Sequence, residues 1–291
     1  MKNDSTPTCL LILGCGYVGT KLAQACLSQD IQIKTTARNQ EHVSKLQLLG
    51  IDAVLNETPH QLDASWLAKC DALLDSIPLS YDDQRIPFET QQEWVEPLLT
   101  KLPKLQWAGY LSATSVYADS EGAWIDESSA HYSNHPRGHQ RLCAEQVWLK
   151  HFKASEVFRL SGIYGPERNI INKLKAGDYK TVQWSPEHFS NRIHVDDIVA
   201  ALLAALRKPK AQRIVNLSDD SPCSHRDYCC ELAELVGAPA PIVLTEEEAE
   251  QQLSASYLDF FRDNKRISNQ RLHDELLPEL QFPSFRDAVP L

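Results

Sequence analysis

Two sets of residues in this chain have types and spacings suited to chemistry. The first is Gly14-Cys15-Gly16-Tyr17-Val18-Gly19, a G-x-G-x-x-G run directly after the uncharged apolar stretch Cys9–Leu13. In a strand-to-helix turn the first glycine permits the tight bend, the second lets a pyrophosphate reach the backbone, and the third lets the helix press on the sheet. The N–H groups and positive dipole end of the helix behind such a loop attract phosphate, so the backbone of Gly14, Cys15, Gly16, Tyr17, Val18 and Gly19 is a candidate dinucleotide cradle. An ordinary glycine turn is the competing reading. The second set is Arg137 and Arg141, one helical turn apart and followed on the same face by Glu145. With a pKa above about 12, arginine cannot shuttle protons near neutrality, but it binds carboxylates and phosphates bidentately. The competing reading is a surface pair partly neutralised by Glu145.

Other candidates sit beside these. Arg38 follows the second apolar strand with no acidic residue until Glu41. A carboxylate there would favour the ribose 2′-hydroxyl of NAD, whereas an arginine accommodates the 2′-phosphate of NADP, so NADP is the preferred cofactor and NAD the alternative. Ser76 ends a third apolar strand, and Ser112, Thr114 and Ser115 end a fourth, where α/β sheets place ligands. Tyr132, His135 and His139 are possible proton donors near neutral pH. His135 and His139 lie four apart, but zinc needs a third and fourth ligand and none has suitable spacing, so no metal is expected. Ser112 and Ser115 lack the sequence context of a nucleophile elbow.

The elements that must position these residues read as alternating strand and helix. Apolar runs at Cys9–Leu13, Ile31–Thr36, Ala53–Leu55, Asp71–Pro78 and Trp107–Tyr117 alternate with amphipathic stretches. These include a helix from about Phe88 to Lys101, with Trp94, Leu98 and Leu99 buried. Such βαβ alternation predicts a doubly wound parallel sheet of Rossmann type. Pro136 can start a helix to about Phe152, with a strand at Glu156–Leu160 after it, a helix beginning at Asp196-Asp197, a strand at Arg213–Leu217 and a helix from His225 to Val236. Residues 121–136 read as irregular, and 167–190 as mobile or substrate-facing.

The chain has 291 residues, 43% hydrophobic and 23% charged, which suits a soluble globular protein with a sizeable core. A net charge of -10 disfavours non-specific attraction to nucleic acid or anionic membrane. No run resembles a signal h-region or a membrane span, so the expected location is cytoplasmic. Eight cysteines without a C-x-x-C pair read as reduced core thiols, with Cys15 singled out as exposed and oxidisable.

The order of signals resembles the extended short-chain dehydrogenase/reductase superfamily, the NAD(P)-dependent sugar epimerases and dehydratases. The resemblance rests on the glycine run, Ser112-Ala113-Thr114-Ser115-Val116-Tyr117, Arg159-Leu160-Ser161-Gly162-Ile163-Tyr164-Gly165-Pro166, Asn191-Arg192-Ile193-His194-Val195-Asp196-Asp197 and Lys265-Arg266-Ile267-Ser268-Asn269. It implies a Rossmann domain over residues 1–163, completed by about 191–218, and a smaller C-terminal substrate-binding domain from 164–190 and 219–291. Cofactor contacts are implied for Arg38, Ser76, Ser112, Arg141 and Tyr164, and substrate contacts for Arg137 and Arg192. His194 and the two aspartates are implied to be structural, the aspartates starting a helix.

The family's catalytic helix carries Tyr-x-x-x-Lys, but alignment through Arg137–Glu145 puts Arg137 and Arg141 at those positions and Ala113 where a serine or threonine is usual. If chemistry survives, Thr114, Tyr132, His139 and Arg141 are the catalytic candidates. The resulting expectation is an atypical NAD(P)-dependent oxidoreductase or epimerase/dehydratase-like enzyme for a small polar or sugar-nucleotide substrate, monomeric or homodimeric. A non-catalytic NADP(H) sensor is the alternative.

Overall fold

The computed structural model describes residues 6–56, 58–79, 91–261 and 263–289. Its central feature is a seven-stranded parallel sheet. Strand β1 (Cys9–Leu13) is flanked on one side by β2 (Gln32–Ala37) and β3 (Asp52–Leu55). On the other side lie β4 (Ala72–Asp75), β5 (Trp107–Ala113) and the strands Ser155–Leu160 and Arg213–Leu217. The order reverses between β1 and β4, the topological switch point where open α/β sheets form a ligand crevice. Five consecutive buried residues make β1 a strand covered on both faces, which explains its unbroken apolar sequence.

Helices α1 (Tyr17–Leu27), α2 (Gln40–Leu48), α3 (Ala64–Leu67), α4 (Gln91–Leu99) and α5 (Pro136–His151) fall in the intervening segments. α3 was not apparent in the sequence; four residues give too short a window for periodicity. Phe88–Thr90, expected at the start of α4, lie outside the described residues. Within α4, Trp94 and Leu98 are buried, and the Trp94 ring meets Trp148 of α5 edge-on at 6.0 Å.

The chain divides into two compact units: Met1–Val116 with Asn134–Arg159 and Ile198–Val215, and Tyr117–Ser133 with Leu160–Asp197 and Asn216–Leu291. The second unit is assembled from short strand pairs. Gly162–Tyr164 pairs with Arg192–His194, Lys180–Val182 with Ile242–Leu244, and Trp124–Ile125 with Arg266–Ile267. The last two pairs correct the reading of 121–136 as irregular and, of the two readings of 167–190, the mobile one. Residues 121–136 contain a strand whose partner lies far along the chain, and 167–190 contain the helix Ile171–Lys175 and two strands with Leu174, Thr181 and Val182 fully buried. Isolated short strands carry too little periodicity to be read alone.

The 264–269 segment is a clamp. Lys265 Nζ donates to the Tyr117 carbonyl at 2.8 Å, Arg266 Nε to the Gly122 carbonyl at 2.7 Å, and Asn269 Nδ2 to the Ser218 carbonyl at 3.0 Å. Asn191 bridges to it twice, donating to the Lys265 carbonyl and accepting from Ile267 N–H. Asp197 accepts from Gln281 and Phe282 N–H at 2.7 and 3.0 Å, consistent with a structural aspartate.

In the first unit, Glu145 of α5 is fully buried and makes a charge-assisted pair with buried Arg159 at 2.6 Å, while accepting the Ser112 hydroxyl at 2.5 Å. Removing one partner of a buried pair leaves an uncompensated charge. Arg159→Met is therefore expected to destabilise the protein by about 3–5 kcal/mol in urea unfolding, and the double replacement Arg159→Met/Glu145→Met by clearly less. Equal losses in the single and double variants would show that the pair is not what holds these elements.

Candidate functional site

The glycine run forms the turn from β1 into α1. Gly14 has φ +76°, and a Cβ there would lie 3.1 Å from the Ile77 Cα beyond β4. A Cβ on Gly19 would meet Ile12 Cγ2 at 3.2 Å, so this glycine serves helix-to-sheet packing. Gly16 differs: a Cβ there would meet nothing within 4 Å, and the residue is exposed. It is the N-cap of α1 with no capping side chain, and the first turn has no acidic residue. An open backbone at an uncapped helix start fits the pyrophosphate of a dinucleotide.

The neighbouring strand ends close around this turn. Cys15 N–H donates to the Thr36 carbonyl, Gly14 N–H to Thr36 Oγ1 at 3.2 Å, and Ser76 N–H to the Leu13 carbonyl at 2.9 Å. Arg38 is exposed just past β2, and Asn39 caps α2 through His42 N–H. His42 Nε2 lies 2.7 Å from the Cys15 carbonyl, so its N–H holds the glycine loop from the α2 side. His42 is not visible from the sequence, because a lone histidine in a helix gives no signal. Cys15 corrects an expectation: it is 2% exposed, its Sγ lies beside Thr20, and burial raises its thiol pKa, so it is not an oxidisable surface cysteine.

A second group lies at the carboxyl end of β5. Arg141 Nη1 donates to Tyr110 Oη at 3.0 Å and to the Leu111 carbonyl at 3.1 Å, which anchors its guanidinium to the sheet. Because Glu145 is committed to Arg159 and Ser112, it does not neutralise a surface Arg137/Arg141 pair. Ser112, at 2% exposure, spends its hydroxyl on Glu145 and presents none outward, a second correction. Thr114 and Ser115 remain partly or fully exposed in the 3-10 turn Thr114–Val116.

Arg137 and His139 are exposed on α5, with Cys143 Sγ 3.7 Å from His139 Nδ1. His135 is the N-cap of that helix, and Tyr132 belongs to the second unit, bridged to Tyr117. Behind the switch point, Asp75 is pushed up to about 6 by burial, against hydrogen bonds from Trp148, Ile77 and Gln91. It fixes the turn that faces Gly14, since Ile77 N–H donates to it at 3.0 Å.

The second unit contains a cavity of about 270 Å3 whose walls include Tyr164, Arg168, Asn169, Arg192, His225 and Tyr228. Arg192 is buried with its guanidinium 3.6 Å from the centre of the Tyr228 ring. Tyr164 is 3% exposed, and its buried hydroxyl has no hydrogen-bond partner among the described residues. Among the described residues, no helix is long and apolar enough to cross a membrane, and no cluster of three or more His, Cys, Asp or Glu side chains could hold a metal.

The chain is 26% identical to Protein YeeZ of Escherichia coli K12 over 283 residues, covering 94% of this chain and 95% of YeeZ. It superposes on a functionally unknown conserved protein from Silicibacter pomeroyi with TM-score 0.85 and 30% identity, over 97% of this chain and 96% of the other. The human epimerase family protein SDR39U1, solved with NADPH, shares the fold at TM-score 0.72 and 16% identity, over 96% of this chain and 97% of that one. The description of the NAD dependent epimerase/dehydratase family matches residues 10–218, which hold the glycine turn, the hydroxyl-bearing end of β5 and Arg192. The chain belongs to the NAD-dependent epimerase/dehydratase family.

Proposed function

We propose that the protein binds NADP(H) along the carboxyl ends of β1, β2 and β4 and acts on a small polar substrate as an atypical oxidoreductase or epimerase-like enzyme. The observation that carries this reading is the open, uncapped backbone at Gly16, beside two glycines whose close contacts serve packing. Gly14 to Gly19 would hold the pyrophosphate and Arg38 the 2′-phosphate, with Ser76 beside the same turn. The preference for NADP rests on Arg38 and on the missing carboxylate after β2. A bound nicotinamide would supply hydride transfer; the chain's own residues supply its seat and orientation.

Arg141, anchored on β5, is read as a cofactor contact, and Arg137 and Arg192 as substrate contacts. The resemblance implies a cofactor contact for Tyr164; its place in the wall of the second-unit cavity favours a ligand there instead. With arginines aligned at the Tyr and Lys positions and Ala113 lacking a hydroxyl, the candidate proton donors are Thr114, Tyr132, His135 and His139. The same substitutions favour a second reading, a cofactor-binding sensor without turnover, because a guanidinium cannot exchange protons at neutral pH.

Gly16→Val is expected to abolish NADPH binding in titration calorimetry by filling the open approach, and unchanged affinity would move the site elsewhere. Wild type should prefer NADPH over NADH by about ten- to a hundred-fold, a preference that Arg38→Ala erases. Tighter NADH binding in wild type would refute this. Arg141→Ala should weaken NADPH binding while Arg137→Ala leaves it nearly unchanged. Turnover on sugar nucleotides and carbonyl acids that survives both changes, yet vanishes in Tyr132→Phe or His139→Ala, would instead make the arginines bystanders and a relocated acid the working group.

A further inference from the structure

We propose that the cavity in the second unit binds a small monocarboxylic acid with an apolar or aromatic body, its carboxylate held by Arg192. The proposal rests on the reading of Arg192 as a substrate contact and narrows the small polar substrate to one whose polar group is a carboxylate. Arg192 is 7% exposed, yet no carboxylate lies within ion-pair distance of it among the described residues. Its guanidinium contacts Ser190 O and Oγ, Cys223 Sγ and the face of Tyr228, all of them neutral. The structure's other deeply buried arginines, Arg159 and Arg213, each pair with a buried glutamate at 2.6 Å. A buried cation without a counter-ion is costly, and an anionic ligand removes that cost.

Asp219, the acidic group that Arg192 feels, does not supply a full counter-charge, since burial raises its pKa to about 7 and one of its oxygens has no partner. Tyr164 is a wall residue whose buried hydroxyl has no partner among the described residues and is held protonated by burial. A phenol in that state donates to an oxyanion.

The walls then narrow the ligand class. Among the described residues no acidic side chain lines the cavity. Tyr228, Ile163, Ile170 and exposed Phe260 are apolar, and His225 is kept neutral, its pKa lowered to about 3 by burial and then by Arg192. At about 270 Å3 the space suits a single ring or short chain, not a dinucleotide. One planar guanidinium among the walls of the cavity matches one planar carboxylate.

The test is calorimetric titration of the full chain with benzoate and hexanoate, with benzamide and inorganic phosphate as controls. Wild type should bind at least one of the two acids saturably, and benzamide and phosphate at least about ten-fold more weakly. Arg192→Gln should lose about ten- to a hundred-fold in acid affinity. If circular dichroism shows that this variant does not fold, Tyr164→Phe and Phe260→Ala carry the test, each expected to weaken acid binding about three- to ten-fold. NADPH titration of the same samples separates the two readings, because acid binding lost with NADPH binding retained concerns this cavity alone. Failure of both acids to bind, equal binding of benzamide, tighter phosphate binding, or acid affinity unchanged in all folded variants would overturn the proposal.

Discussion

The arrangement of the first unit depends on how closely the backbone at the β1 to α1 turn approaches its neighbours. Gly14 can sit against the Ile77 Cα, and Gly19 against Ile12, only because neither carries a side chain. Those contacts lock β1, α1 and the end of β4 into one junction at the reversal of strand order, leaving Gly16 facing open space. Three glycines with one spacing thus do three different physical jobs, two in packing and one in leaving room. The loop is then held from outside by the Thr36 backbone and hydroxyl and by the His42 ring.

A second constraint works one strand further along. Burying Glu145 is tolerable because Arg159 neutralises it and Ser112 donates to it, and the same carboxylate therefore ties α5, β5 and the Ser155–Leu160 strand together. This fixes where Arg141 stands, one turn earlier on α5 and bonded to Tyr110 and Leu111. The face that reads from sequence as a charged surface stripe is in fact split. Glu145 turns inward, Arg141 leans on the sheet, and Arg137 stays exposed.

Much of this was legible in the sequence where a local pattern coincided with a local cause. The apolar runs of β1, β4 and β5 gave the sheet strands, Pro136 started α5, and Gly237 ended the helix His225–Leu235 with φ +63°. What was not legible depended on partners distant in the chain. The strand Trp124–Ile125 exists because Arg266–Ile267 pairs with it, and the order within 167–190 comes from contacts with residues beyond 223. Cys15 looked exposed because glycines flank it, yet its side chain points into the junction, a matter of backbone direction that composition does not carry. Of the second-unit cavity only Arg192 and Tyr164 were visible in the sequence, since His225 and Tyr228 reach it from a helix far along the chain.

The account's central claim, that the β1 to α1 turn and the end of β2 seat a nicotinamide dinucleotide phosphate, is tested most directly by hydrogen exchange with and without NADPH. Amides of residues 14–20 should slow on addition of NADPH, together with those of residues 36–42 where Arg38 and His42 lie. NADPH binding that leaves both segments unchanged, or protects only segments remote from them, would contradict it.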